Sequence, residues 1–279
     1  MNRPPQRTRV RLAQNLFRSR AAADRLVRGL HLDPGDVVHD LGAGTGMITG
    51  ALVAAGVRVV AVERDPNLAR KLCTRFADAP VRVVEADLRT HAYAPPFKVV
   101  ANPPFNLTAD ILRRLLVEGP HPEACALALQ REAAESWAGT PRPTARSLSV
   151  QPWFGLEVIH AFARHDFVPK PAVDVSLLRV TRRAEPLLPH AQQELWRDFV
   201  AYAFARQAPD ARRMLRNVLS NLQWRRLSHD LGVPPGAARG DLTLAQWVGL
   251  FRFVLAHTPE HRRPFGRRNA PPGSARRTA

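Results

Sequence analysis

Asn102-Pro103-Pro104-Phe105 closes an apolar run and precedes a segment of helical pattern. Read locally, an asparagine and two prolines make a turn. Read chemically, they offer two acceptors, the Asn102 side-chain oxygen and the Pro103 carbonyl, on a backbone that proline holds stiff. Amino nitrogens of bases and amides are poor nucleophiles, because their lone pair is delocalised. Two fixed acceptors that hold the N–H groups favour turning that lone pair toward an electrophile. Phe105 adds a face on which a base can stack, worth about 1–3 kcal/mol per base. The alternative for Phe105 is an ordinary core aromatic.

A second constellation lies upstream. Asp40 immediately precedes a turn with Gly42, Gly44 and Gly46. Such a turn alone also suits nicotinamide-binding folds. A carboxylate just before the glycines would repel a pyrophosphate, but it suits a ligand bearing positive charge. Glu63 follows Gly42 by 21 residues, where an acid can accept from ribose hydroxyls. Asp87 ends a third apolar run and is placed to accept from an adenine amino group. Each acid alone could be an exposed strand-end residue. Three acids ending three successive strands beside a glycine turn point to S-adenosyl-L-methionine, whose sulfonium and ammonium are cationic.

These residues need a scaffold. Short β-rich runs occupy 36–41, 57–63, 81–87, 97–102 and 124–130, separated by helix-like segments. That spacing predicts a parallel sheet covered on both faces. Runs at 156–167 and 173–181 are longer and joined by Val168-Pro169-Lys170-Pro171-Ala172, too short for a helix. They should form an antiparallel pair at the end of the sheet. The expected class is α/β, a Rossmann-like seven-stranded methyltransferase sheet. After Thr181 only helical periodicity remains, over 190–207, 209–222 and 242–257. The expected domains are 1–181 for the cofactor and catalysis, 182–260 as a small all-helical RNA-binding domain, and 261–279 as a basic disordered tail.

Composition narrows the partners. The net charge is +17, with 38 arginines and three lysines, Lys71, Lys98 and Lys170. From Arg179 onward 18 basic residues face 7 acidic ones. Codon bias would account for part of the arginine excess, but a charge this high attracts a polyanion, and nucleic acid is the natural one. A base inside a duplex cannot reach such a pocket, so the target must be flipped or unpaired. Two cysteines, Cys73 and Cys125, show no metal-ligand spacing, and no metal is expected. They suit a reducing cytoplasm. No apolar run approaches the roughly 18 residues of a membrane span. The N-terminus has no acid before Asp24 and resembles an organellar transit peptide; against that, Gln14 and Asn15 belong to the working protein by the resemblance that follows.

Together, Arg11–Val27 with its Gln14-Asn15 pair, the Asp40–Gly46 glycine motif, Ala101–Leu112, Phe167–Val180 and Leu242–Phe251 resemble the ribosomal RNA adenine N6-methyltransferases over about residues 10–258. That family includes the Erm resistance enzymes and the KsgA-type small-subunit dimethyltransferases. The resemblance implies a cofactor site at Asn15, Phe17, Gly42, Gly44, Glu63, Asp87 and Asn102, and catalysis at Asn102, Pro103 and Phe105. The family usually reads Gln-Asn-Phe-Leu where this chain has Gln14-Asn15-Leu16-Phe17, so Phe17 would contribute through its backbone. It often has Tyr where Phe105 stands, so stacking is the retained function.

Asn-Pro-Pro-Phe, the Leu242–Trp247 stretch and the basic tail favour the Erm branch. That implies a monomer acting on 23S ribosomal RNA before full ribosome assembly, at an adenine of the peptidyl-transferase loop. Arg142, Arg146 and Lys170 are candidates for RNA phosphate contact, with solvated loop charge as the equal alternative. The rivals are a KsgA-type enzyme, methylation of DNA amino groups, guanine N2 or protein glutamine, and a non-catalytic relative.

Overall fold

The computed structural model describes residues 15–266, so Gln14 and the end of the basic tail lie outside it. The chain divides into two compact units, one of residues up to Thr140 with Phe154–Ala184, the other of Pro141–Trp153 with Glu185 onward.

The first unit holds, in chain order, β1 (Leu16–Phe17), α1 (Arg20–Val27), β2 (Val37–Leu41), α2 (Met47–Ala54), β3 (Arg58–Glu63), α3 (Pro66–Arg75), β4 (Val81–Glu85) and β5 (Lys98–Ala101). It continues with α4 (Thr108–Arg113), β6 (Ala124–Gln130), α5 (Arg131–Ala138), β7 (Phe154–Phe162), β8 (Phe167–Val168) and β9 (Val175–Arg182). The main sheet has seven strands in the order β4-β3-β2-β5-β6-β9-β7. The first five are parallel, and β9 runs antiparallel to both β6 and β7. This is the seven-stranded plan expected, with its antiparallel pair at one edge. In β6, Cys125 to Leu129 are all at most 1% exposed, as a strand covered on both faces requires.

One strand ends earlier than the expected run of 156–167. β7 stops at Phe162 rather than running to 167, because the Asp166 carboxylate accepts the Ala163 N–H and closes a short 3-10 turn. The chain then re-enters extended structure as β8, which pairs with β1 in a separate two-stranded ribbon, Phe17 opposite Phe167.

Helices begin where side chains can satisfy the free N–H groups of the first turn. Ser19 caps α1, and Asp65 caps α3 ahead of Pro66 at its first position. One core cluster of this unit joins Leu26 of α1 and Leu52 of α2 to Val38, Val100, Ala126 and Leu177, which the register places on one face of the sheet.

The second unit comprises α6 (Ala145–Val150), α7 (Gln193–Ala205), α8 (Ala211–Leu215), α9 (Asn221–Asp230) and α10 (Leu244–His257). Capping boxes open three of them: Thr144 with Ser147, Ser220 with Gln223, and Thr243 with Gln246. Its core is aromatic. Trp196 meets Phe251 edge-on at 5.2 Å, and Phe199 lies 5.4 Å from Phe251.

Two features depart from the expected boundaries. Residues 141–153 group with the helices, because α6 packs against α7 and the Trp196 indole N–H donates to the Leu148 carbonyl at 2.6 Å. Order also continues beyond 260: Phe265 is buried against Phe199, and the Arg263 guanidinium donates to the Thr258 and Leu255 carbonyls. No helix of the described residues is long and apolar enough to cross a membrane.

Candidate active site

The strand order reverses between β2 and β5. Chain order runs outward one way through β3 and β4, then the other way through β5 and β6. Ligands of open α/β sheets bind outside the carboxyl ends of the strands at such a switch point. Asp40 and Leu41 of β2 stand opposite Val100 and Ala101 of β5. The Asp40–Gly46 turn and the Asn102–Phe105 segment therefore leave neighbouring strands side by side. The topology juxtaposes the two constellations found in the sequence.

The glycine turn is tied to β3. The Gly42 and Ala43 N–H groups both donate to the Val62 carbonyl, and the Gly44 N–H donates to Glu63 Oε2 at 2.8 Å. Gly46 caps α2 in the left-handed region, φ +81°, where a Cβ would come within 2.8 Å of Leu72 and Phe76. A side chain there would be strained and crowded at once. Glu63 is 3% exposed, and its other oxygen accepts the Asp65 N–H at 2.8 Å. The carboxylate thus holds the turn on one side and the start of α3 on the other.

Asp40 is fully buried. Thr49 Oγ1 donates to its Oδ2 at 2.6 Å, while Oδ1 has no partner among the described residues. Burial pushes its pKa up to about 7, opposed by the Thr49 hydrogen bonds and reinforced by the charge of Glu63. Asp87, two residues beyond β4, is in the opposite condition. Its Oδ1 accepts the backbone N–H and Nε of Arg89, and its Oδ2 accepts from Arg89 at 2.6 Å and from Arg64 at 3.4 Å. The Arg89 hydrogen bonds hold its carboxyl well below the usual range. All four of its lone-pair directions are engaged, so a ligand amino group needs one arginine arm to move. Arg64, Arg89 and Thr49 were not singled out in the sequence. The Asp-Leu-Arg spacing at 87–89 was the available signal for the second of them.

Asn102 follows β5 and is half-buried. Its Nδ2 donates to the Asn15 carbonyl at 2.6 Å. A carbonyl can only accept, so this contact sets the amide's orientation and leaves Oδ1 as the open acceptor. Neither Oδ1 nor the Pro103 carbonyl meets a donor among the described residues. Asn15, expected as a cofactor contact through the family pattern, here positions Asn102. Phe105 opens a short 3-10 turn, half-buried and packed against the core of the first unit. It is part core aromatic and part open ring.

The Phe17 ring is 5% exposed and stacks on Phe167 at 4.9 Å and near Phe162 at 5.3 Å. Only its backbone remains for a ligand. Arg142 and Arg146, both exposed, lie in the second unit, and exposed Lys170 lies in the first. Arg142 pairs with Asp241 at 3.7 Å. His39, the residue before Asp40, was also missed. It is buried with its Nδ1 2.9 Å from His91 Nε2 and packs edge-on to Tyr93 and Phe97. Burial first, then the charges of His91 and Arg82, lowers its pKa to about 4. No cluster of three or more metal-binding side chains occurs among the described residues.

Residues 6–255 match the family described as ribosomal RNA adenine dimethylase. The chain belongs to that family. The mycinamicin-resistance protein MyrB of Micromonospora griseorubida is 32% identical over 95% of this chain and 82% of its own length. Ribosomal RNA small subunit methyltransferase A of a Synechococcus strain is 33% identical over 90% of this chain and 94% of its own. Among solved structures, the 23S rRNA methyltransferase ErmE superposes with a TM-score of 0.78 at 30% identity, covering 86% of this chain and 99% of that one. As a member of the adenine dimethylase family, the chain is an rRNA adenine N6-methyltransferase with the fold of S-adenosylmethionine-dependent enzymes.

Proposed function

We propose that this protein methylates N6 of an adenine in the peptidyl-transferase loop of 23S ribosomal RNA and thereby confers macrolide-lincosamide-streptogramin resistance. One observation carries the chemistry: the Asn102 amide is locked by the Asn15 carbonyl with its oxygen open, at the switch point, beside the acid-tipped strands. The likeness to MyrB and ErmE supports the drug-resistance branch.

The residues fit a cationic adenosyl ligand. The partnerless Oδ1 of Asp40, buried at the foot of the glycine turn, is an acceptor in need of a positive or donating group. Glu63 retains lone pairs for ribose hydroxyls beyond the two N–H bonds that it accepts. Asn15, Gly42, Gly44, Asp87, Asn102 and the backbone at Phe17 complete the set proposed to line the site. S-adenosyl-L-methionine supplies, when bound, a methyl group on a positively charged sulfur.

The chain's own part is positioning. Asn102 Oδ1 and the Pro103 carbonyl accept the two N–H bonds of the target amine, which weakens its conjugation with the ring. Phe105 stacks on the adenine and holds its plane. No strong general base is needed, since the nitrogen becomes acidic as the methyl joins it, and the two acceptors stabilise that developing positive charge. Methylated N6 loses a donor and gains bulk, which obstructs drug contact with the RNA.

Purified protein, labelled cofactor and separate 23S and 16S RNAs test the reading, with label expected in 23S and a sensitive host expected to gain macrolide tolerance. The length-wide match to small subunit methyltransferase A favours a second reading, dimethylation of small-subunit adenines; label confined to 16S would establish it. We further propose a cytoplasmic monomer acting before ribosome assembly is complete, with Arg142, Arg146 and Lys170 on RNA phosphates.

A further inference from the structure

The second unit contains a cleft of about 250 Å³ between α9 and the loop at 231–238, and none of the residues assigned above lines it. Its wall is the half-buried Trp224, its floor includes the buried Val233 and Ala237, and Pro234-Pro235 line it with no N–H to offer. Arg212 and Arg225 stand over it, exposed, with Ser228 beside them. Gly232 and Gly236, both at positive φ, let the loop curl back so that Ala237 receives the Ala211 N–H.

The cations here differ from four other arginines of this unit. The guanidiniums of Arg239 and Arg252 are tied to backbone carbonyls, Arg213 pairs with Asp210, and Arg226 pairs with Asp230. The Arg225 guanidinium has no hydrogen-bond or ion-pair partner among the described residues, and Arg212 makes one bond, to Asn221 Oδ1. Asp210, also at the rim, is turned to its capping bond with the Arg213 N–H at 2.7 Å. From Arg206 to Arg239 the chain carries seven arginines against two aspartates.

A flat indole, an apolar floor, a wall without donors and two available guanidiniums match one kind of occupant: a planar aromatic group joined to an anion. We propose that this cleft takes an unpaired nucleotide of the ribosomal RNA other than the methylated adenine, its base on Trp224 and its phosphate on Arg212 and Arg225. The inference rests on the rRNA reading above and adds a second RNA anchor to it. The proline wall makes the seat tolerant of base identity, so it contributes affinity and register rather than sequence choice.

The two halves of the seat give separable signatures in steady-state methylation of 23S RNA. Trp224→Ala should raise KM for RNA by roughly five- to a hundredfold, with kcat at saturating RNA and cofactor affinity unchanged, and Trp224→Phe should restore most of it. Arg225→Ala should lower the slope of log affinity against log salt by about 0.7, the loss of one single-strand phosphate contact, whereas Trp224→Ala should leave that slope alone. Irradiating the full chain with 4-thiouridine-substituted RNA should label the peptide carrying Trp224.

The exposed charge reversal Arg225→Glu keeps the test independent of folding. An enzyme that methylates RNA normally but is indifferent to Trp224→Ala and Arg225→Glu overturns the proposal. So does crosslinking that an acidic peptide displaces and a single-stranded oligonucleotide does not. Should the wild type label neither rRNA, the functional reading falls; a shift of the Trp224 indole NMR signal with single-stranded oligonucleotide would still support the cleft, and no shift would remove it.

Discussion

The two sides of the switch point are built differently. On the β2–β4 side, carboxylates are embedded in hydrogen bonds: Glu63 accepts two backbone N–H groups, and Asp87 is gripped by Arg89 and Arg64. On the β5 side, one bond, from the Asn102 amide to the Asn15 carbonyl, orients the group, and the useful acceptors are left open. The first side is a frame completed before any ligand arrives. The second is a pair of acceptors awaiting N–H donors. Asp40 sits in the frame yet behaves like the other side, with one oxygen satisfied and one bare. A buried acceptor left unpaired costs stability, and such local cost is common where a ligand is to be met.

The largest effect expected is on the open side. Asn102→Ala should lower kcat by about 10²–10³, the scale seen for losing one preorganised transition-state partner. RNA affinity should stay near wild type, because phosphate contacts dominate it. A parallel loss of RNA binding would mean that Asn102 is structural and that the contrast between the sides is false. Phe105→Ala should cost about 1–3 kcal/mol in kcat/KM, while Phe105→Tyr stays active; equal activity of Phe105→Ala and wild type would remove stacking from the mechanism.

Asp40 gives the pH test. Its folded pKa is raised from 3.8 to about 7 by burial. A raised carboxyl favours the fold while protonated, so this contribution is lost as pH climbs through that interval and is fully absent above it. Asp40→Asn keeps an oxygen for Thr49 and cannot ionise. It should melt at least several degrees higher than wild type at pH 8, with the gap closing toward pH 4, and should bind cofactor more weakly. A melting difference that does not change with pH would place the carboxylate's cost elsewhere.

The smallest effect concerns the clamp. Arg89→Ala frees two directions on Asp87 and should tighten cofactor binding by a few-fold in calorimetry, since no arginine arm then has to leave. Weaker binding would show that Arg89 holds Asp87 ready rather than occupied.

Much of the frame was legible in residue order. Apolar runs of strand length, four of the five with an acid or Asn102 at or next to the end, announced the parallel strands and their working ends. The antiparallel closing pair followed from a linker too short for a helix. Less legible were features made by local competition. β7 ends early because Asp166 captures the Ala163 N–H, although the extended run resumes at Phe167 beyond the polar Arg164-His165-Asp166. Residues 141–153 read as part of the first domain, because a short capped helix inside a mixed stretch has no strong period; the packing of α6 on α7 and the Trp196 bond to Leu148 assign it to the helices.

Residue order settles which chemical groups exist and in what sequence the strands deliver them: three acids, a glycine turn, and an amide with an aromatic after β5. Those depend on residue type and on periods of a few residues. The tertiary structure alone decided each group's state. It brought Asn15 to Asn102 across 87 positions, put the Phe17 ring into the core, closed two arginines around Asp87 and left one oxygen of Asp40 without a partner. Solvation and partner choice are set by packing between segments far apart in the chain, and no local pattern encodes them.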